Sequence, residues 1–381
     1  MTAMLLAAWL AASVQPAPTS PEPDLATAIG QLGSLDYDVR TRASRVVRRT
    51  PPLAAVPALL EALEQHDDGY VRYRALVLLS AFNQPQIADV MRQRMYDPND
   101  RLRQVAYAWF EQHTDPNVLP LLIEFLERET SEFVRPALVR AIAAHTGDPR
   151  ARDVLLREVN RGLDFFRSAV IEALGGHKAA WAFDALTAIA RLDGPLQDDS
   201  ALALGKLGDR RALPVLAELQ RTAPRETQPI IAAGICLLGV NCASHRGFLV
   251  QTLSFGEDTP GYQELVRSAA TGLGAIAARG DTEAAQALFE IGIPSQDPAR
   301  APIALAIAAL AVNNPPFALD LLGRLPDRAG ALSLLAEGFD MLEEDYAEEQ
   351  FFAAVRKAYW AAGEGTPART LVEDVIRKLE F

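Results

Sequence analysis

Cysteine, histidine and lysine are all scarce in this 381-residue chain. Two Cys and five His are too few for a disulfide scaffold or a multi-metal protein. Lysine supplies four of 37 basic residues, against 49 acidic ones, and the formal net charge is −12. That balance works against a general binder of nucleic acid or anionic membrane, because phosphate affinity needs a basic surface. No apolar run reaches the ~20 residues that span a bilayer. Strand-like alternation is missing, and so are the G-x-S-x-G, H-E-x-x-H, P-loop and EF-hand patterns. What is present, 49 % hydrophobic and 23 % charged residues, excludes wholesale disorder.

The first 24 residues read as separate from the fold. Met4 to Val14 is an eleven-residue apolar run with the length of a signal-peptide core, and Ala11-Ala12-Ser13 offers small residues for cleavage. No Lys or Arg precedes it. A Pro-rich linker follows, with Pro16, Pro18, Pro21 and Pro23. The expectation is a signal peptide over 1–13, a linker over 14–24, and export to the periplasm or beyond. The alternative is a cytoplasmic protein with a mis-chosen start.

The remainder repeats. Asp36, Asp68, Asp100, Glu132 and Asp164 are each 32 residues apart, followed by Arg40, Arg72, Arg103, Arg135 and Arg167. An apolar stripe at i, i+4, i+7, i+8 accompanies each, as in Val71, Ala75, Leu78, Leu79 and in Phe166, Val170, Ala173, Leu174. That spacing is one face of an α-helix. A turn and a second apolar helix follow each stripe, marked by Asp115-Pro116, Gly147-Asp148-Pro149, Gly208-Asp209 and Gly280-Asp281. Pro57, Pro120 and Pro214 are read as lying in first turns of second helices, where proline is tolerated. The spacing persists from Leu196 to Ala311 with longer intervals. About nine pairs fill 25–326. A helical end over 327–381, with Leu371, Val375 and Leu379 on one face, reads as a cap that is polar outside. The fold class is therefore all-α, a right-handed α-solenoid of stacked helix pairs.

The helix starts of the type Asp68-Gly-Tyr-Val71-Arg72-Tyr-Arg-Ala75, and the Gly208 to Pro214 turn, resemble HEAT repeats of the bilin-lyase-like class. The resemblance covers about 25–326 and implies the fold. For activity it implies, as the second choice, a bilin-lyase-type enzyme or chaperone-like subunit acting on a tetrapyrrole–protein substrate. Trp109 and Trp181 are then the candidate aromatic contacts.

Each candidate for chemistry has a structural reading. The acid column suits helix N-termini, and each Arg one turn later can bond that acid or its equivalent in the next repeat. His113, His145 and His177 recur every 32 residues near helix C-termini. Stacked repeats set them about 8–10 Å apart, too far to share one zinc. Cys236 and Cys242 are either a disulfide across a turn or two buried free thiols; with His245 they make a weak zinc signal. Gly272-Leu-Gly274-Ala-Ile-Ala277 matches a loose dinucleotide fingerprint but lacks the βαβ context, so it reads as close helix packing.

No catalytic, cofactor-binding or metal residue is assigned. The functional expectation is a non-catalytic, exported scaffold for another protein. It has no nucleic-acid partner, and it is not inserted in a membrane once the leader is cleaved. In such arrays the surface lined by the second helices usually binds, but here those helices carry mixed charge, Glu61, Glu64, Arg92, Arg94, Glu124 and Glu127, so no single-sign stripe identifies a face or a ligand class.

Overall fold

The computed structural model describes residues 23–257, 261–342 and 344–381. The leader read over 1–13 and most of the Pro-rich linker lie outside the described residues. Among the described residues, 22 α-helices and two short 3₁₀ turns form the chain, with no strand.

α1 (Leu25–Gln31) precedes the pairs. These begin with α2 (Tyr37–Arg49) and α3 (Pro52–Gln65), then α4 (Gly69–Ser80) and α5 (Ile87–Arg94). Next come α6 (Asp100–Gln112) and α7 (Leu119–Arg128), α8 (Arg135–Ala143) and α9 (Pro149–Glu158), α10 (Asp164–Gly176) and α11 (Phe183–Ala190). α12 (Gln197–Leu207) and α13 (Ala212–Thr222), α14 (Gln228–Leu237) and α15 (Cys242–Glu257), α16 (Gln263–Ala277) and α17 (Thr282–Gly292) continue the array. α18 (Arg300–Asn313) and α19 (Pro315–Arg324) complete nine pairs. α20 (Arg328–Leu342), α21 (Asp345–Ala361) and α22 (Pro367–Lys378) follow. The architecture is the expected α-solenoid.

The stripes are the core. Ala75, Leu78 and Leu79 on α4, and Leu138, Ala141 and Ile142 on α8, are fully buried. In the looser part, Ser200, Leu204, Ala270, Leu273 and Ala311 are equally enclosed. Each stripe packs on its neighbours in the stack, so apolar area leaves water only as pairs accumulate. The turn signals act as read. Asp148 caps α9 ahead of Pro149 at its first position, Asp281 caps α17, and Gly208 ends α12 in the left-handed region (φ +76°).

The two helix rows are unequal. Successive first helices, from α6 and α8 on to α18 and α20, pack directly on each other, while successive second helices barely touch. Small residues allow this: a Cβ on Gly205 of α12 would sit 2.5 Å from Gly234 Cα of α14. A row that packs closely forms the inner side of a curved array. Gly274 is part of this device, since its Cβ position is 3.2 Å from Ala306 Cβ. The segment 272–277 lies inside α16, as close packing requires.

Two local readings need correction. Pro57 lies in the interior of α3, which begins a turn earlier at Pro52. The helix tolerates it because the carbonyl deprived of its amide belongs to Leu53, which is almost fully exposed, where solvent can satisfy it. The acid column also divides. Asp36 and Asp68 are N-caps, but Asn99 caps α6 in place of Asp100, α8 starts beyond Glu132, and Asp164 is the first residue of α10.

The end region departs most from expectation. α20 continues the inner row against α18, but α21 crosses to α4 at the start of the chain. The array bends far enough for its two ends to meet. Residues read as the polar outside of a terminal cap therefore lie in a seam.

Candidate interaction surface

The seam is built from acids of α21 and bases of the first pairs. Asp345 Oδ2 accepts a 2.7 Å hydrogen bond from Tyr73 Oη, and its Oδ1 is 2.7 Å from an Arg74 guanidinium nitrogen. One turn on, Glu349 Oε2 accepts from Arg48 Nε at 2.8 Å, with its side chain 1 % exposed. Gln350 donates to Ser80 Oγ at 3.1 Å, and the Arg48 guanidinium lies 5.0 Å from the Phe352 ring centre. Asp345, Glu349 and Phe352 recur at i, i+4, i+7, so one face of α21 carries both charge and apolar anchor. Burial alone would raise the Asp345 pKa, but Arg74 and Tyr73 outweigh it and hold the carboxyl below its ordinary value. Burial and the Asp345 carboxylate push the Tyr73 hydroxyl well above the usual phenol range.

The inner wall beyond the seam is charged. Glu111 of α6 accepts from Arg140 of α8 at 3.3 Å and meets His177 Nε2 at 3.1 Å. Deeper in, burial raises the carboxyls of Glu172, Asp199 and Glu344 and lowers the Lys206 ammonium. Glu172 keeps an exposed surface, although protein surrounds it closely enough to raise its carboxyl. Burial and Asp345 push Glu348 up to about 7.

The arginine column serves the turns. Arg40, Arg72 and Arg103 each donate to a carbonyl six residues upstream, on Ser34, His66 and Asp97. The expected pairing with the acid one turn earlier occurs at Arg167 and Asp164, 3.0 Å. Arg103 instead takes Glu129 in a bidentate pair at 2.8 and 2.7 Å, and Arg135 lies 3.5 Å from Glu158. Both acids come from the C-terminal end of the second helix of the same pair, Glu129 capping α7 and Glu158 closing α9, folded back beside the first. Spacing along one helix could not reveal that partner.

The histidines sit at helix ends, as read. His113 stacks on Trp109 with ring centres 4.0 Å apart, its Nδ1 3.0 Å from the Trp109 carbonyl. Burial lowers the His145 pKa. Trp109 is buried, and Trp181 donates Nε1–H to the Thr146 carbonyl at 3.0 Å. Cys236 and Cys242 are joined in a disulfide across the turn containing Gly239 (φ +75°) and Asn241 (φ +46°), so the free-thiol alternative does not hold.

Glu61, Arg92 and Glu124 belong to α3, α5 and α7, the splayed second row, whereas the first helices make the inner wall and α21 already lies against it. What stands open is one edge. Tyr37, Phe133 and Phe165 each follow an acid of the column and hold the same repeat position; they are 60, 80 and 60 % exposed, and Leu35 and Leu163 lie beside them. The signal was present in the sequence, as large apolar residues at or just ahead of a helix start and off its stripe.

HEAT repeats match residues 25–111 and 93–175, and the PBS lyase HEAT-like repeat matches 196–222. A search of curated proteins finds no significant match. Among solved structures, YibA of Escherichia coli is similar at 20 % identity, covering 57 % of this chain and 81 % of that one, with a TM-score of 0.42. The complex of CpcE and CpcF of phycocyanin lyase from Nostoc sp. PCC7120 is similar at 18 % identity, over 87 % of this chain and 100 % of that one, TM-score 0.28. Importin beta is similar at 10 % identity, over 92 and 57 %, TM-score 0.37. No described helix is long and apolar enough to cross a membrane. Residues 25–175 therefore carry HEAT repeats and residues 196–222 a repeat of the PBS lyase HEAT-like class.

Proposed function

We propose that this chain is a non-catalytic scaffold that binds another protein along the edge carrying Tyr37, Phe133 and Phe165. The observation that carries the reading is this row of exposed aromatic side chains at one repeat position. Phe133 and Phe165 stand in adjacent repeats, with Gly69 and Arg101 at the same position between them and Tyr37; exposed apolar side chains so grouped mark interaction sites, and aromatic anchors dominate interface energetics. A repeat array sets them in line along an extended surface. The reading is also supported by the use made of candidate chemical groups: the arginine column bonds carbonyls and acids of its own repeats, and His113 stacks on its own helix.

Phe133→Ser/Phe165→Ser tests it, since both side chains are exposed and the fold should be unchanged by circular dichroism. Wild-type protein coupled to a resin should retain a partner from native extract in stoichiometric amount, and the double variant should lose it. Equal retention by both would refute the reading. Export is part of the proposal; sequencing the N-terminus of the natively expressed protein should find cleavage near Ser13, and an intact terminus in the cytosol refutes it.

The match of 196–222 to the PBS lyase HEAT-like repeat favours a second reading, a bilin-lyase-type enzyme or chaperone-like subunit. It requires a spectral shift when a bilin is added, and the scaffold reading requires none.

A further inference from the structure

Closure of the array leaves an open groove of about 910 Å³ beside the seam. One wall is α2 and the turn after it, with Arg45, Arg48 and Pro51; the other is α21 and α22, with Arg356, Trp360 and Arg377. In a chain of net charge −12, this groove has the opposite sign: its lining carries five arginines against Glu373 and Glu380. Glu373 is engaged by Arg369 at 3.3 Å, Arg377 pairs with Asp374 at 3.2 Å, and Arg45 donates to the Glu380 carbonyl at 3.1 Å. Beneath the groove, the single carboxylate of Glu349 serves two guanidiniums, Arg48 at 2.7 Å through Oε2 and Arg356 at 3.3 Å through Oε1. One negative charge between two positive ones leaves the pair short of an anion. Burial, then the nearby Arg48, lower the Arg356 pKa even with Glu349 adjacent.

The groove is also apolar. Trp360 is 78 % exposed, an indole face held at the rim, with Tyr359 beside it at 5.1 Å between ring centres. Phe82 and Phe381 extend the apolar side. A pocket of ~300–1,000 Å³ suits a small organic ligand. Guanidinium groups favour carboxylates through charge-assisted hydrogen bonds, and an indole supplies area for an aromatic ring.

We propose that the seam groove binds a small aromatic carboxylate, its anionic group at Arg356 and its ring against Trp360, one turn along the same helix. The two walls come from opposite ends of the chain, so the bound ligand bridges the closure. It therefore stabilises the closed form as its concentration exceeds Kd.

The test is calorimetric titration of the full chain with 2-naphthoate, neutral 2-naphthamide and inorganic phosphate. Naphthoate should bind saturably at one site and raise Tm, with the amide and phosphate each weaker by about tenfold or more, the equivalent of one lost charge-assisted or apolar contact. Arg356→Gln leaves Glu349 paired with Arg48 and should weaken naphthoate about tenfold. Trp360→Ala alters an exposed residue, so it folds, and it should weaken naphthoate several-fold while leaving the apo Tm unchanged. Failure of naphthoate to bind overturns the proposal. So does equal binding of the amide, equal binding of phosphate, or affinity unchanged in Trp360→Ala.

Discussion

The carboxylate of Asp345 accepts a 2.7 Å hydrogen bond from the hydroxyl of Tyr73, a residue 272 positions earlier in the chain. That contact, with Arg74 on the other oxygen, joins the last helices to the second pair and turns an open stack into a closed one.

Removing it should open the seam. In Asp345→Ala, Tyr73 and Arg74 lose their partner inside the seam, at a cost of about 2–3 kcal/mol for charged hydrogen bonds left unmade. Small-angle scattering should show a larger radius of gyration than wild type, and Tm should fall. An unchanged scattering profile would mean that the apolar contacts of Phe351 and Phe352 hold the closure alone.

Stability should decline as pH rises from about 4.5 to 7 through Glu348, alongside the other carboxyls that burial raises, Glu172, Asp199 and Glu344. The folded-state pKa of Glu348 is pushed up to about 7 from the ordinary 4.5 by burial and by Asp345, so the folded chain holds that proton more tightly than the unfolded one. Stability from this group is thus highest below the lower value and declines through the window. His145 and His245 are shifted down by burial and work in the opposite direction. The difference between wild type and Glu348→Gln isolates the carboxyl: urea midpoints should diverge across this range, and parallel profiles contradict the assignment.

Two glycine substitutions should have opposite signs. Gly205→Ala puts a methyl 2.5 Å from Gly234 Cα and 2.7 Å from its carbonyl oxygen, backbone that cannot turn aside. Overpacking costs about 1–3 kcal/mol, more than the helix propensity gained. Gly30→Ala in α1 meets nothing within 4 Å and should stabilise by about 0.5–1 kcal/mol. Denaturant midpoints give both values; equal effects would remove the case for close inner packing.

Thiol titration of the denatured chain should find no free thiol without reductant and two with it. Cys236→Ser/Cys242→Ser should lose about 2 kcal/mol, the loop-closure value for a bridge spanning so few residues. Two reactive thiols in the unreduced chain would contradict the bridge between Cys236 and Cys242.

Much of the site's raw material was legible and its pairing was not. The arginine column was visible as a period, but Glu129 and Glu158 reach Arg103 and Arg135 only after the second helix folds back beside the first. Glu349 lies in the end region that reads as a cap with a polar outside. It is buried because Arg48 and Arg356 meet it, and Arg48 lies 301 positions away.

The sequence by itself determined the repeat unit: where Ala75, Leu78 and Leu79 form a stripe, where Asp148 and Asp281 start helices, and where Gly208 ends one. Those features are decided within about two turns of chain or against the adjacent pair, where periodicity carries the information. Only the tertiary structure decided which row is inner and that the ends meet. Curvature is a sum of small rotations over nine pairs, set by how closely backbones approach at contacts such as Gly205 with Gly234. A small change at each contact moves the end of the array by many ångströms, so no local pattern around Asp345 encodes its meeting with Tyr73.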